Sequence, residues 1–297
     1  MRGFTLIEVL VSTLIAIAIS GALFQLMDPA RLVFQPQLEA ADAQQRLRVA
    51  ADMMARDLIM AGAGPTVGAN AGPLWISTAP VMPYRHGSVG DDPTLGVFYR
   101  PDAVTVSFVP STAAPGTVVS RTYYAKPDAA TGALQLMQYN GDQGDFPLID
   151  NLVGLEFEYR GDPQPPETLP PPAFGVDPDT QDEYPAGENC LFTRVDGAAV
   201  RRLDVLSLEP ALVPLLPAML TDGPWCPSVT VTNRFDADLL RIRRIGVRLR
   251  VQAGSAMFRG PVGVLFTRGG TATRSRQLVP DREIRIDVTP RNLNVGR

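Results

Sequence analysis

The hydrophobic pattern changes period twice along the chain. From Phe4 to Met27 the residues are apolar apart from Glu8 and a few hydroxyl or amide side chains. About 20 apolar residues suffice to cross a bilayer as a helix, so this stretch is long enough. Pro29 and Pro36 interrupt the pattern, which resumes in LEAADAQQRLRVAADMMARDLIMAGAGP. There Ala43, Leu47, Ala50, Met54, Leu58 and Ala61 recur at three- and four-residue steps and build one apolar stripe. Arg48, Asp52 and Arg56 are spaced for i,i+4 pairing on another face. Gly62, Gly64 and Pro65 supply a stop signal. If the two helical parts are continuous, nearly 60 residues at about 1.5 Å each make a rod of about 85 Å.

Beyond Pro65 the period becomes two. AVTVSFV, TVVSRTYYA, LVGLEFEYR, IGVRLRV and REIRIDV alternate apolar with polar residues and are rich in β-branched and aromatic types. In IGVRLRV the set Ile245, Val247, Leu249 and Val251 faces one way while Arg248 and Arg250 face the other, the pattern of a half-buried antiparallel strand. The connections are long and rich in Pro, Gly and Asp, above all GDPQPPETLPPPAFGVDPDTQDEYPAGEN, whose triple proline favours an extended solvated conformation. The expected fold is α+β: a long N-terminal helix packed through its outer half on an antiparallel sheet with large loops.

Composition and charge narrow the function by exclusion. A net charge of −4 points to no polyanionic partner. Lys126 is the only lysine, so nearly all positive charge is arginine, a bias that a GC-rich genome explains. About half of the arginines lie from Arg234 onward. They alternate along expected strands with acids such as Glu283 and Asp287 nearby, which fits an exposed sheet face better than a nucleic-acid site. The only histidine, His86, sits in the loop PYRHGSVGDDP, so Ser-His-Asp, Cys-His and His-zinc chemistry would all depend on one solvated residue. No glycine-rich phosphate loop or nucleophile motif is present, and the chain does not read as an enzyme. Trp75 and Trp225 read as core or loop anchors. Asp177, Asp179 and Asp182, with Glu183, offer oxygen ligands suited to calcium, but the ligand and glycine positions of an EF-hand loop are not filled. They read as solvated loop acids, with calcium the alternative and no other cofactor expected. Cys190 and Cys226 are the only cysteines, and a disulfide between them is the default reading if the body lies outside the cytoplasm.

A secretory signal peptide would carry a longer basic start and a small-residue cleavage site after a shorter apolar core. Neither is present. Arg2 and the starting amine place the N-terminus in the cytoplasm by the positive-inside rule, with the remainder outside. The stretch RGFTLIEVLVS instead resembles the N-terminus of type IV pilins and of the related pseudopilins of type II secretion. Their signature is a short basic leader ending in glycine, then phenylalanine, a few apolar residues and a glutamate; Gly3, Phe4 and Glu8 hold those positions. The resemblance implies cleavage between Gly3 and Phe4 by a prepilin peptidase and N-methylation of Phe4. It gives a leader at 1–3, a transmembrane and filament-core helix at 4–27, an amphipathic outer helix at 28–64 and a β-rich head at 65–297. QQRLRVAADMMARDLIMAGAG, LVGLEFEYR, RIRRIGVRLRVQ and DREIRIDVTPRNLN look like segments of PilW-type minor pilins, the first shared in weaker form with J-type pseudopilins. Many major pilins have a proline where this chain has Gln25, so Gly21, Pro29 and Pro36 are the expected places for the helix to bend.

The implied function is that of a minor pilin that primes or joins a type IV pilus, with other minor and major pilins, the inner-membrane assembly platform and a tip adhesin as partners. Its place would be the bacterial inner membrane, with a periplasmic C-terminal domain, and then the pilus. Glu8 has a physical role in that setting. A lone carboxylate at membrane depth costs about 2.5 kcal/mol or more, and the amine of a neighbouring subunit's processed terminus would offset it. Two alternatives stand beside this reading: a J-type minor pseudopilin, and a membrane-anchored protein whose head binds a surface, calcium or DNA.

Overall fold

The structure is a computed structural model that describes residues 5–64, 79–83, 99–111, 118–140, 144–163, 192–195, 198–201, 211–220, 225–226, 235–259, 272–273 and 276–294. One helix, α1 (Leu6–Met60), opens the chain. It runs unbroken through Gly21, Pro29 and Pro36. A proline removes a single i→i−4 hydrogen bond, and the turns on either side carry the helix across. Among the described residues the strands that follow are β1 (Val81–Met82), β2 (Ala103–Phe108), β3 (Val119–Pro127), β4 (Leu134–Tyr139), β5 (Asp145–Gly161), β6 (Phe192–Val195), β7 (Ala198–Arg201), β8 (Val213–Leu215), β9 (Trp225–Cys226), β10 (Phe235–Asp236), β11 (Ile242–Val251), β12 (Ala272–Thr273), β13 (Arg276–Gln277) and β14 (Arg282–Val288). The chain forms two compact units, residues 1–45 with 252–282 and residues 46–251 with 283–297.

The larger unit is built on an eight-stranded sheet in the order β1-β2-β3-β4-β5-β11-β14, with β8 also paired to β5. The pairings whose register is described are antiparallel. Each of the five stretches with period-two alternation has most of its residues in a strand of this sheet. In β11 the alternation holds as expected: Ile245, Val247, Leu249 and Val251 are buried and Arg248 and Arg250 are half-buried. β2 departs from it, being buried on both faces. Its polar residues are satisfied across the strand pair, Thr105 with Thr122 and Ser107 with Ser120, each at 2.8 Å between hydroxyl oxygens. Ala103 of β2 joins Tyr124, Met137 and Tyr139 of the next two strands in a small apolar cluster. β4 carried no alternation that singled it out, yet it pairs along six residues with β3.

The helical stripe is buried as its spacing requires: Ala43, Leu47, Ala50, Met54, Leu58 and Ala61 are all nearly inaccessible. Arg48, Asp52 and Arg56 lie exposed on the other face, but no ion pair joins them. The helix ends where the glycines begin. Gly62 takes φ +76°, the left-handed conformation that favours glycine, and its N–H donates to the Ser107 carbonyl of β2 at 3.0 Å. A Cβ there would lie 3.0 Å from Leu293.

The exposed-face reading of the C-terminal arginines holds for some and fails for two. Arg248 bridges Glu156 at 3.0 Å and Glu158 at 3.3 Å, and Arg285 pairs with Glu283 at 3.1 Å. Arg241 and Arg243, by contrast, are buried. Arg243 pairs with Asp162 at 2.7 Å and donates to the Leu240 carbonyl. Arg241 donates to the carbonyls of Asp162 and Pro163. Arg243 faces inward in step with Ile245, Val247 and Leu249, and the register shift between Ile242 and Arg244 accommodates the extra residue and brings Ile242 to the same side.

Candidate functional site

Two features of α1 stand out, one in each unit. In the smaller unit, every residue from Thr5 to Gln25 is exposed, among them Leu6, Ile7, Leu10, Leu14, Ile17 and Phe24. The segment Leu6–Gln25 is long and apolar enough to cross a membrane. Such a helix needs its few polar groups satisfied internally. Thr13 does this by donating its hydroxyl to the Leu10 carbonyl at 2.9 Å. Glu8, the only charge in the segment, lies in the first turn. Its Oε2 accepts from the Thr5 N–H at 2.9 Å and from the Thr5 hydroxyl at 2.8 Å. Thr5 is the N-cap and Glu8 the third helical residue, so the pair forms half of a capping box. The carboxylate thus has a local partner for its lone pairs. Further along the same unit, Glu39 Oε2 accepts from the Gly254 N–H at 2.9 Å.

In the larger unit, Asp57 lies on the buried side of the helix. Arg121 of β3 donates to its Oδ1 at 2.5 Å, and the Tyr123 hydroxyl of β3 donates to its Oδ2 at 2.5 Å. Gln138 of β4 donates to the same Oδ2 at 3.1 Å and to the Tyr123 oxygen at 3.0 Å. Tyr123 and Gln138 are register partners, so the sheet itself sets their spacing. This network fixes residues 46–60 of the helix on β3 and β4. The sequence reading did not single out Asp57, although a signal was there. Position 57 falls three residues after Met54 and four before Ala61, on the apolar stripe, where a charge demands partners.

Burial, and then the charge of Asp57, pushes the Tyr123 phenol well above its ordinary value. Burial does the same for Tyr159. A phenol whose folded pKa exceeds its unfolded value of about 10 contributes stability that is complete below that value. That contribution is lost as the pH rises from there toward the folded pKa. The thermal midpoint of the protein is therefore expected to fall above about pH 10, and Tyr123→Phe to shallow the fall. Equal slopes for the parent and Tyr123→Phe in a pH series of melts would refute the assignment.

Several expected site residues lie outside the described residues: Gly3, Phe4, His86, Asp177, Asp179, Asp182 and Cys190. Cys226 is described only by its backbone, in β9, which pairs with β10. Among the described residues no three His, Cys, Asp or Glu side chains gather as metal ligands do.

The molecule is an α+β protein in which an exposed apolar helix precedes an antiparallel sheet of eight strands. No family model and no curated protein matches it. Among solved structures it is similar to a type IV-like pilin from Thermus thermophilus, at 14% identity and a TM-score of 0.32, over 84% of this chain and 97% of that one.

Proposed function

We propose that the chain is a PilW-type minor pilin, a non-enzymatic subunit that primes or joins a type IV pilus. The observation that carries this is the helix segment Leu6–Gln25, exposed on every side with Glu8 as its single charge. Such a surface needs either lipid or the helices of other subunits around it, and a pilin uses both in turn. The motif around Gly3, Phe4 and Glu8 supports the same reading. In it the prepilin peptidase cuts before Phe4 and Phe4 is methylated. The head faces the periplasm, and other pilins, the assembly platform and a tip adhesin are the partners.

The test is the mass of the N-terminal peptide from cells with and without a prepilin peptidase. Expected is a peptide starting at Phe4 and one methyl group heavier, replaced by one starting at Met1 when the peptidase is absent. A terminus at Met1 in both strains would overturn the proposal. Deletion that abolishes pili with secretion intact fits the pilus role, and the reverse fits a pseudopilin.

A further inference from the structure

On the open face of the sheet two arginines stand directly opposite each other. Arg160 of β5 is the register partner of Arg244 of β11, and both are exposed. Like charges in that position destabilise a strand pair, so a pair of this kind calls for a counter-charge. Glu158 and Asp287 line the same cleft, but among the described residues neither is paired with Arg160 or Arg244. On its other edge Arg160 faces the exposed Pro214 of β8. The acid two residues earlier, Glu158, is held by Arg248 at 3.3 Å. Among the described residues the side chains of Arg160 and Arg244 have no hydrogen bond or ion pair, although those of Arg248 and Arg285 on the same face do.

The backbone builds this arrangement. Period-two alternation running back from Ile245 puts Arg243 inward on Asp162 and Arg244 outward beside Arg160, and the register shift between Ile242 and Arg244 buries Ile242 as well. Next to them Gly246 presents no side chain, and a Cβ there would lie 3.3 Å from Asp287 Oδ1. The result is a cleft of about 220 Å3 lined by Glu158, Arg160, Arg244, Arg248, Arg285 and Asp287.

We infer that Arg160 and Arg244 are a docking site for a carboxylate side chain, Asp or Glu, presented by a partner polypeptide. A guanidinium fork matches a carboxylate in two parallel hydrogen bonds, and two forks facing each other suit an acidic side chain set between them. The alternative polyanion, a nucleic acid, fits poorly. Glu156, Glu158, Glu283 and Asp287 share the face and would repel a run of phosphates. The margin beyond Arg160 is apolar, with Pro214 exposed and Leu216 57% exposed, which favours a polypeptide surface. The inference concerns the head alone and holds whether or not the helix enters a filament.

The test uses the full chain in detergent micelles, titrated with a fluorescein-labelled oligoglutamate peptide, with single-stranded DNA of equal charge as the comparison. The peptide is expected to bind, more weakly as salt rises, and more tightly than the DNA. Arg244→Ser and Arg160→Glu should each lower peptide affinity by about tenfold or more. Arg160→Glu supplies the missing counter-charge to Arg244 within the chain, so its thermal midpoint should equal or exceed that of the parent. The inference is overturned by any of four results: no peptide binding, unchanged affinity in both variants, tighter binding of the DNA, or a lowered midpoint for Arg160→Glu.

Discussion

If the chain is the pilin subunit proposed above, replacing Glu8 by glutamine is expected to remove it from filaments while leaving it in the membrane. In the isolated chain the carboxylate accepts from the N–H and the hydroxyl of Thr5. An amide oxygen accepts in the same way, so Glu8→Gln keeps the start of the helix and removes only the charge. Glu8→Ala removes both. If Glu8 serves as the cap alone, the two variants should differ, the glutamine form behaving as the parent. If it pairs with the amine of a neighbouring subunit inside a dry filament core, both should fail alike. Breaking one side of a buried ion pair costs about 3–5 kcal/mol, and tenfold in an equilibrium is about 1.4 kcal/mol. Incorporation should therefore fall by well over about tenfold. Immunoblots of sheared filaments against the membrane fraction give the measurement. Parental levels of Glu8→Gln in filaments would reduce Glu8 to a helix cap and sink the pairing role.

What the sequence disclosed here followed from periodicity. The stripe from Ala43 to Ala61 and the alternation in β11 report which side of an element faces the core, and burial bears out both. β4 was not legible because LQLMQY has no β-branched residue and reads equally as a short helical run; its pairing with β3 and β5 decides it. β2 looked half-exposed because Thr105 and Ser107 alternate with apolar residues. Their hydroxyls are instead satisfied by Thr122 and Ser120, partners nothing local announces. Arg243 continues the inward alternation of Ile245 and Val247, so its side was legible; the distant Asp162 that pairs with it, and the carbonyls that receive Arg241, are announced by nothing local. Pro29 and Pro36 do not end the helix, although each costs it a hydrogen bond and crowds the preceding turn. On the helix, composition near Glu8 was enough to mark it, whereas the capping contact with Thr5 needed coordinates.

Asp57→Ala is expected to be the most damaging single substitution in the sheet-bearing unit outside the apolar core. It deletes the shared acceptor of three donors from two strands. Tyr123 is fully buried and Gln138 nearly so, and neither can turn to solvent without moving β3 or β4. The Arg121 side chain is 36% exposed, so water recovers part of its loss. The cost should then lie near the lower end of the range for breaking a buried pair, about 3 kcal/mol. Tyr123→Phe removes one donor and leaves the carboxylate with two, and should cost about 1 kcal/mol. The two substitutions meet at one oxygen, so their effects should not add: with Asp57 already gone, removing the phenol takes away an unsatisfied group. Urea unfolding of the parent, both single variants and the double variant measures this directly. An Asp57→Ala cost below about 1 kcal/mol, or additive effects in the cycle, would mean that the apolar stripe from Leu47 to Ala61 alone holds this part of the helix to the sheet.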